Sequence, residues 1–230
     1  MYGAFVVLVV LFNLAWLISV IHLGFRDRTW GFPAGAVLFN ISWDATAAFG
    51  GYDQLVLAQG VPQWLLISPF VIGDLICVWQ IVVYGPSQFP QVSKRTFYLV
   101  FGLMAATMLW AVPVFNQGFS DESHGTYSHF MTLLAVSVLL PVMLYNRRSL
   151  AGQSVAAATL WLGFVVTIAA LVLVAPSLPF PMDAHRELAI YLCLASVVAS
   201  TVYFIAVLRM KQRQGSENRQ LEVATPRPVG

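Results

Sequence analysis

The chain has 230 residues, of which 59% are hydrophobic and 10% are charged, with a mean hydropathy of +0.76 and a formal net charge of +2. This composition is typical of an integral membrane protein and excludes a soluble globular domain. The small net charge also argues against a nucleic-acid-binding protein, because that function needs a strongly basic surface.

Seven apolar stretches are each long enough to cross the roughly 30 Å of hydrocarbon in a bilayer as a helix. Breaks that contain Pro, Gly or charged residues separate them. The sequence therefore predicts an all-α, seven-transmembrane-helix bundle over residues 1–208, and a polar, disordered cytoplasmic tail over 209–230. The predicted spans cover residues 3–23, 34–57, 64–84, 97–115, 127–145, 153–175 and 186–208.

The distribution of basic residues predicts the orientation, because Lys and Arg concentrate in the cytoplasmic segments of membrane proteins. With the N-terminus outside, those segments hold 11 of the 12 basic residues, and only Arg186 lies outside. This asymmetry favours an N-terminus outside and a C-terminus in the cytoplasm. The first span lacks a basic leader and a small-residue cleavage site, so we expect it to be a retained helix.

Several chemistries lack the residues that they require. The two lysines, Lys94 and Lys211, lie in cytoplasmic segments, so no span offers a lysine for a retinal Schiff base. The four histidines are scattered, and the sequence has no Asp-Asp-x-x-Asp element for metal-dependent ionisation of a diphosphate. The two cysteines, Cys77 and Cys193, lie within spans and form no zinc-site pattern. We therefore expect neither a cofactor nor a metal.

Polar side chains interrupt three of the spans at similar depth. At a rise of 1.5 Å per residue, Asp44, Asp74 and Asn13 each lie about 15 Å from one end of their spans. Asn40 lies one helical turn from Asp44 and shares its face. These side chains should turn inward, because lipid offers no hydrogen-bond partner. An ionisable residue within a span is a candidate for function.

Two buried acids in apolar surroundings indicate proton chemistry. Such an environment favours the neutral form of a carboxylic acid, which makes Asp44 a candidate general acid. Aromatic faces attract cations, so an acid beside aromatic walls would suit the protonation of an alkene or an epoxide. Ordinary packing of the tryptophans and interhelical hydrogen bonding by the polar groups are the alternatives. The tryptophans within the spans are Trp16, Trp43, Trp79, Trp110 and Trp161.

Three sequence elements follow one another in a distinctive order. They are Asn40-Ile-Ser-Trp43-Asp44, then Asp74 with Tyr84-Gly85, and then Arg147-Arg148-Ser149-Leu150-Ala151-Gly152-Gln153-Ser154 with Leu162-Gly163. Together they resemble the small integral-membrane terpene cyclases of fungal meroterpenoid and bacterial indole-sesquiterpenoid pathways. The first element is similar to the Asn-x-x-Trp-Glu element of that family. Order, spacing, chain size and the seven-helix plan agree over nearly the whole chain.

The resemblance implies an enzyme that protonates a terminal alkene or epoxide of a prenyl chain, such as a farnesyl chain on indole, and closes rings through carbocations. It implies Asp44 as the acid, one methylene shorter than the Glu of the family. The family has a second functional acid, and its position corresponds to a place near Ser200, ahead of Tyr203, in this chain. Because serine is not an acid, the resemblance implies that this role passes to Asp74 or Glu187. Glu187 has the alternative reading of a solvated charge at a helix start.

The predicted site combines these residues in a pocket of several hundred Å³ inside the bundle. Its partners are expected to be a prenylated small molecule and the lipid bilayer, without nucleic acid, and the oligomeric state is left open. The alternative is a small transporter or proton-coupled carrier that uses the two aspartates as a relay. We assign catalytic roles to Asp44, Asp74 and Glu187, and substrate contacts to Asn13, Trp16, Asn40, Trp43, Trp79, Trp110, Ser200 and Tyr203.

Overall fold

Seven helices and no strands make up the part of the chain that the computed structural model describes, residues 2–49, 63–118, 126–174 and 186–224. The all-α prediction is therefore confirmed over these residues. The helices are α1 (Tyr2–Asp27), α2 (Ala34–Phe49), α3 (Gln63–Gln88), α4 (Lys94–Gly118), α5 (Thr126–Arg147), α6 (Val155–Val174) and α7 (Arg186–Ala224).

Six of these helices are long and apolar enough to cross a membrane, which indicates a multi-pass membrane protein. The exception is α2, whose 16 residues extend about 24 Å. The predicted second span, 34–57, continues past α2 into residues 50–57, which lie outside the described residues. Helix α7 continues to Ala224, so it reaches into the segment predicted to be a disordered tail. Residues 209–224 contain many good helix formers and no proline, and these features allow the helix to continue.

The helix contacts close a ring of six helices. Helix α1 packs against α3 and α6, α7 packs against α6 and α5, and α2 joins α5 to α3. Helix α4 lies outside this ring and packs mainly on α2. Most of its side chains are exposed on the remaining faces, as expected for a helix that turns toward lipid.

The loop between α1 and α2 is buried, which is unusual because a buried loop must satisfy its backbone polar groups internally. Residues 29–33 are all buried. The turn between α5 and α6 supplies the missing donors. Arg147 Nη1 donates to Trp30 O at 2.6 Å and its guanidinium lies 4.4 Å from the Trp30 ring centroid, while Gln153 Nε2 donates to Gly31 O at 2.6 Å.

A glycine allows this turn to approach the loop so closely. Gly152 has φ +74°, and a Cβ at this position would lie 2.7 Å from Trp30 O. Its amide donates to Asp27 Oδ2 at 2.8 Å, and the Tyr203 hydroxyl donates to Gln153 Oε1. We call the contacts of Arg147, Gly152 and Gln153 with residues 27–31 the loop clamp. Because α2 begins directly after this loop, the clamp fixes where α2 starts.

Candidate active site between α2 and α3

Two buried aspartates on neighbouring helices share one amide. Asn40 Nδ2 donates to Asp44 Oδ2 at 3.1 Å and to Asp74 Oδ2 at 2.8 Å. Sharing this amide brings the two carboxyl groups close together. Asp44 is 5% exposed and Asp74 is fully buried. The structure thus brings together Asn40, Asp44 and Asp74, which the sequence predicts to meet.

One oxygen of this group is left without a partner. Asp74 Oδ1 is buried and accepts no hydrogen bond from the described part of the chain. Helix α1 closes over this part of α3, since a Cβ on Gly73 would lie 2.3 Å from Leu17 Cδ2. Glycine at position 73 therefore lets α1 approach the level of the carboxyl pair. A buried acceptor without a donor is costly in a folded protein and is expected at a functional site.

Three consecutive residues of α2 point to three different helices. Ser42 Oγ donates to Leu109 O of α4 at 2.8 Å, the Trp43 ring packs against His129 of α5, and Asp44 shares the Asn40 amide with Asp74 of α3. Successive side chains on a helix diverge by about 100°. Because α4 lies outside the ring of helices, the face of α2 between Trp43 and Asp44 turns toward the interior of that ring. We call this face the interior-facing sector of α2.

Aromatic side chains lie close to this sector. The ring centroids of Trp43 and His129 are 4.5 Å apart. On α1, Trp16 is buried next to Leu17 and packs against Trp161 at 4.5 Å and Phe32 at 4.8 Å. Trp43 therefore borders this sector directly, whereas the aromatic contacts of Trp16 are with Trp161 and Phe32. Asn13, one turn from Trp16, is half-buried and lies outside the hydrogen-bonded group.

Other predicted site residues lie elsewhere. Trp79 is 48% exposed and Trp110 is 68% exposed, so both turn away from the ring, and Glu187 is exposed in the first turn of α7. Each side chain faces outward because its helix buries a different face against its neighbours. The structure does not bring these three residues to the carboxyl pair.

The two predicted residues of α7 are buried in a separate polar network. Ser200 Oγ donates to Ser137 Oγ at 3.0 Å, and Trp161 Nε1 donates to the same oxygen at 3.2 Å. Tyr203 belongs to the loop clamp through Gln153. Helix α7 packs on α5 and α6, away from α2 and α3. Ser200 therefore joins α7 to α5, and Tyr203 supports the loop clamp.

Comparison with protein-family models, with curated proteins and with solved structures finds no match to this chain.

The geometry adds one residue that sequence reasoning missed. His129 is isolated in the sequence, and nothing in its spacing connects it to Asp44. Its contact with Trp43 becomes visible only once α5 is packed against α2. The loop clamp was also missed as a contact, although the sequence analysis singled out its Arg147 to Ser154 segment. In the described ranges, no group of three His, Cys, Asp or Glu side chains could hold a metal ion.

Proposed function

We propose that this protein is a membrane terpene cyclase in which Asp44 protonates a prenyl chain and starts ring closure. The observation that carries the proposal is the pair of buried carboxyl groups bridged by the Asn40 amide. The proposal includes seven spans with an outside N-terminus and a cytoplasmic C-terminus. Its substrate class is a farnesylated aromatic compound, and its product is an isomer of the substrate or of its epoxide.

The carboxyl pair provides a source of one proton. Two negative charges on carboxyl groups that share one amide would repel each other strongly in an apolar bundle, so one of the two groups carries a proton. Asn40 donates to both carboxyl groups, so it can stabilise a negative charge on either of them. The proposal assigns the transferred proton to Asp44, the acid of the Asn40 to Asp44 element.

The chemical step follows from this arrangement. The π electrons of the terminal alkene, or a lone pair of the epoxide oxygen, take the Asp44 proton, and the O–H electron pair remains on the carboxylate. The hydrogen bond from Asn40 stabilises the Asp44 carboxylate that forms. The positive charge develops on carbon between indole faces such as Trp43 and Trp16, which shelter it from water. Later alkenes of the same chain attack it and close the rings.

A direct assay tests this function. Membranes that contain the protein are incubated with a farnesylated indole and, separately, with its terminal epoxide, and the products are separated by chromatography and mass spectrometry. We expect a new compound with the mass of its precursor, absent with membranes that lack the protein. Unchanged substrate in both incubations would contradict the proposal. Proton-driven uptake of a solute into proteoliposomes would instead favour the carrier alternative, in which the same carboxyl pair relays protons.

The orientation has its own test, because it rests on the distribution of basic residues. A reporter that is active only in the cytoplasm, fused after residue 230, should be active. A reporter that is active only on the outer face should be silent at the same position. The opposite pattern would contradict the proposed topology and leave the chemical proposal to be judged by the assay.

A further inference from the structure

His129 packs against Trp43, which precedes the proposed acid Asp44, and one nitrogen of its ring forms no hydrogen bond to a described residue. Its imidazole packs against the indole of Trp43, the residue before Asp44, with ring centroids 4.5 Å apart and ring planes inclined by 48°. Phe130 lies on another side at 5.9 Å. Within this aromatic environment, Nδ1 of His129 is buried and has no hydrogen-bond partner among the residues that the structure describes.

A buried imidazole nitrogen without a hydrogen-bond partner needs a physical reason. Neutral imidazole has one donor and one acceptor nitrogen, and leaving a buried acceptor unpaired costs roughly 1–3 kcal/mol. A packing role alone would be served as well by phenylalanine, which carries no such cost. A group that must accept a proton during a reaction, however, has to keep its acceptor nitrogen free until the proton arrives.

The position of His129 suits the end of the reaction. Asp44 and Trp43 border the interior-facing sector of α2, with Asp44 toward α3 and Trp43 toward α5. A prenyl chain that takes a proton from Asp44 and folds inside the ring of helices would bring its final cation toward Trp43. The imidazole of His129 lies beside the Trp43 indole, with ring centroids 4.5 Å apart. Asp74 is a poorer candidate base, because it shares the Asn40 amide with the acid that starts the reaction and therefore lies at the start of the path and not at its end.

We propose that His129 is the base that ends cyclisation, an inference that rests on the proposed cyclase function. Nδ1 removes a proton from the carbon next to the final cation. The electrons of that C–H bond become the new C=C bond, and the imidazole becomes imidazolium. A water molecule then carries this proton to the Asp44 carboxylate, which restores both groups. No atom or electron is gained or lost overall, so the product is an isomer of the substrate.

Two variants and a matched control test this assignment with a farnesylated indole as probe. His129→Asn replaces the imidazole by a polar amide that is not basic. His129→Gln makes the same replacement with a longer side chain. His22→Asn is the control, because His22 is exposed on α1 away from the carboxyl pair. The quantities measured are the amount of protein in the membrane, the rate of substrate loss and the set of products.

The expected result is a change in the products. Both His129 variants should lower formation of the wild-type product by about 10²-fold or more, the scale of a lost acid–base group. They should release alkenes with the double bond elsewhere or alcohols formed by capture of water, since Asp44 still starts the reaction. His22→Asn should give the wild-type product at the wild-type rate.

The contrary results are distinguishable from one another. Wild-type product at the wild-type rate from either His129 variant would overturn the assignment and leave the cyclase proposal intact. Failure of both His129 variants to accumulate in the membrane would assign a structural role to the imidazole and would also overturn it. A wild-type protein that converts neither the farnesylated indole nor its epoxide would instead contradict the cyclase function itself.

Discussion

Asn40 Nδ2 lies 2.8 Å from Asp74 Oδ2, and this contact joins α2 to α3 at the point where both helices carry a buried acid. One amide group has two hydrogens, so it can serve Asp44 and Asp74 at once. Asn40 is therefore the residue that sets the relative positions of the two carboxyl groups. Its removal affects the charge distribution and the packing at the same place.

Asn40→Ala should lower both stability and turnover. The variant removes both donated hydrogens and leaves two buried carboxyl groups without them, at a cost of roughly 1–3 kcal/mol for each unpaired group. We expect a lower unfolding temperature in detergent and at least a tenfold loss of product formation. Asn146→Ala is the matched control, because Asn146 is exposed near the end of α5. Unchanged turnover in Asn40→Ala would contradict a role for the bridge.

Asp74→Asn separates a supporting role from interhelical bonding. The amide keeps the size and most of the hydrogen bonding of the carboxyl group but cannot carry the negative charge that helps to keep the proton on Asp44. We expect a normal amount of protein in the membrane and a large loss of turnover. If the variant is abundant and fully active, Asp74 serves only to hold α2 and α3 together.

Gly152→Ala tests the loop clamp. The new Cβ would collide with Trp30 O and would sit at φ +74°, a conformation that costs a residue with a side chain about 1–2 kcal/mol. We expect the unfolding temperature to fall by several degrees. Gly102→Ala is the matched control, since nothing lies within 4 Å of a Cβ there. Equal unfolding temperatures for the two variants would show that the clamp does not hold the loop as described.

The helices and the carboxyl pair could be predicted from the sequence because their signals are local. Hydropathy locates the long spans, and the spacing of Asn40 and Asp44 places both on one face. The outward positions of Trp79 and Trp110 could not be predicted in this way. A helix that is apolar all round gives no pattern that tells its lipid face from its buried face.

Long-range contacts explain the remaining differences. The segment Thr29 to Pro33 contains the glycine and proline that mark a turn, and its burial depends on donors from Arg147 and Gln153, far along the chain. His129 is likewise one of four scattered histidines until α5 packs on α2 and brings it to Trp43. Neither contact leaves a periodic signal in the sequence.

The central claim is that Asp44 supplies the proton, and isotope incorporation tests it most directly. Membranes with the wild-type protein or Asp44→Asn are incubated with a farnesylated indole in heavy water. The wild-type product should carry one deuterium on carbon. Asp44→Asn, which keeps the shape of the side chain but has no acidic proton, should accumulate normally and form product at least about 10²-fold more slowly. Deuterated product formed by Asp44→Asn at the wild-type rate would contradict the account.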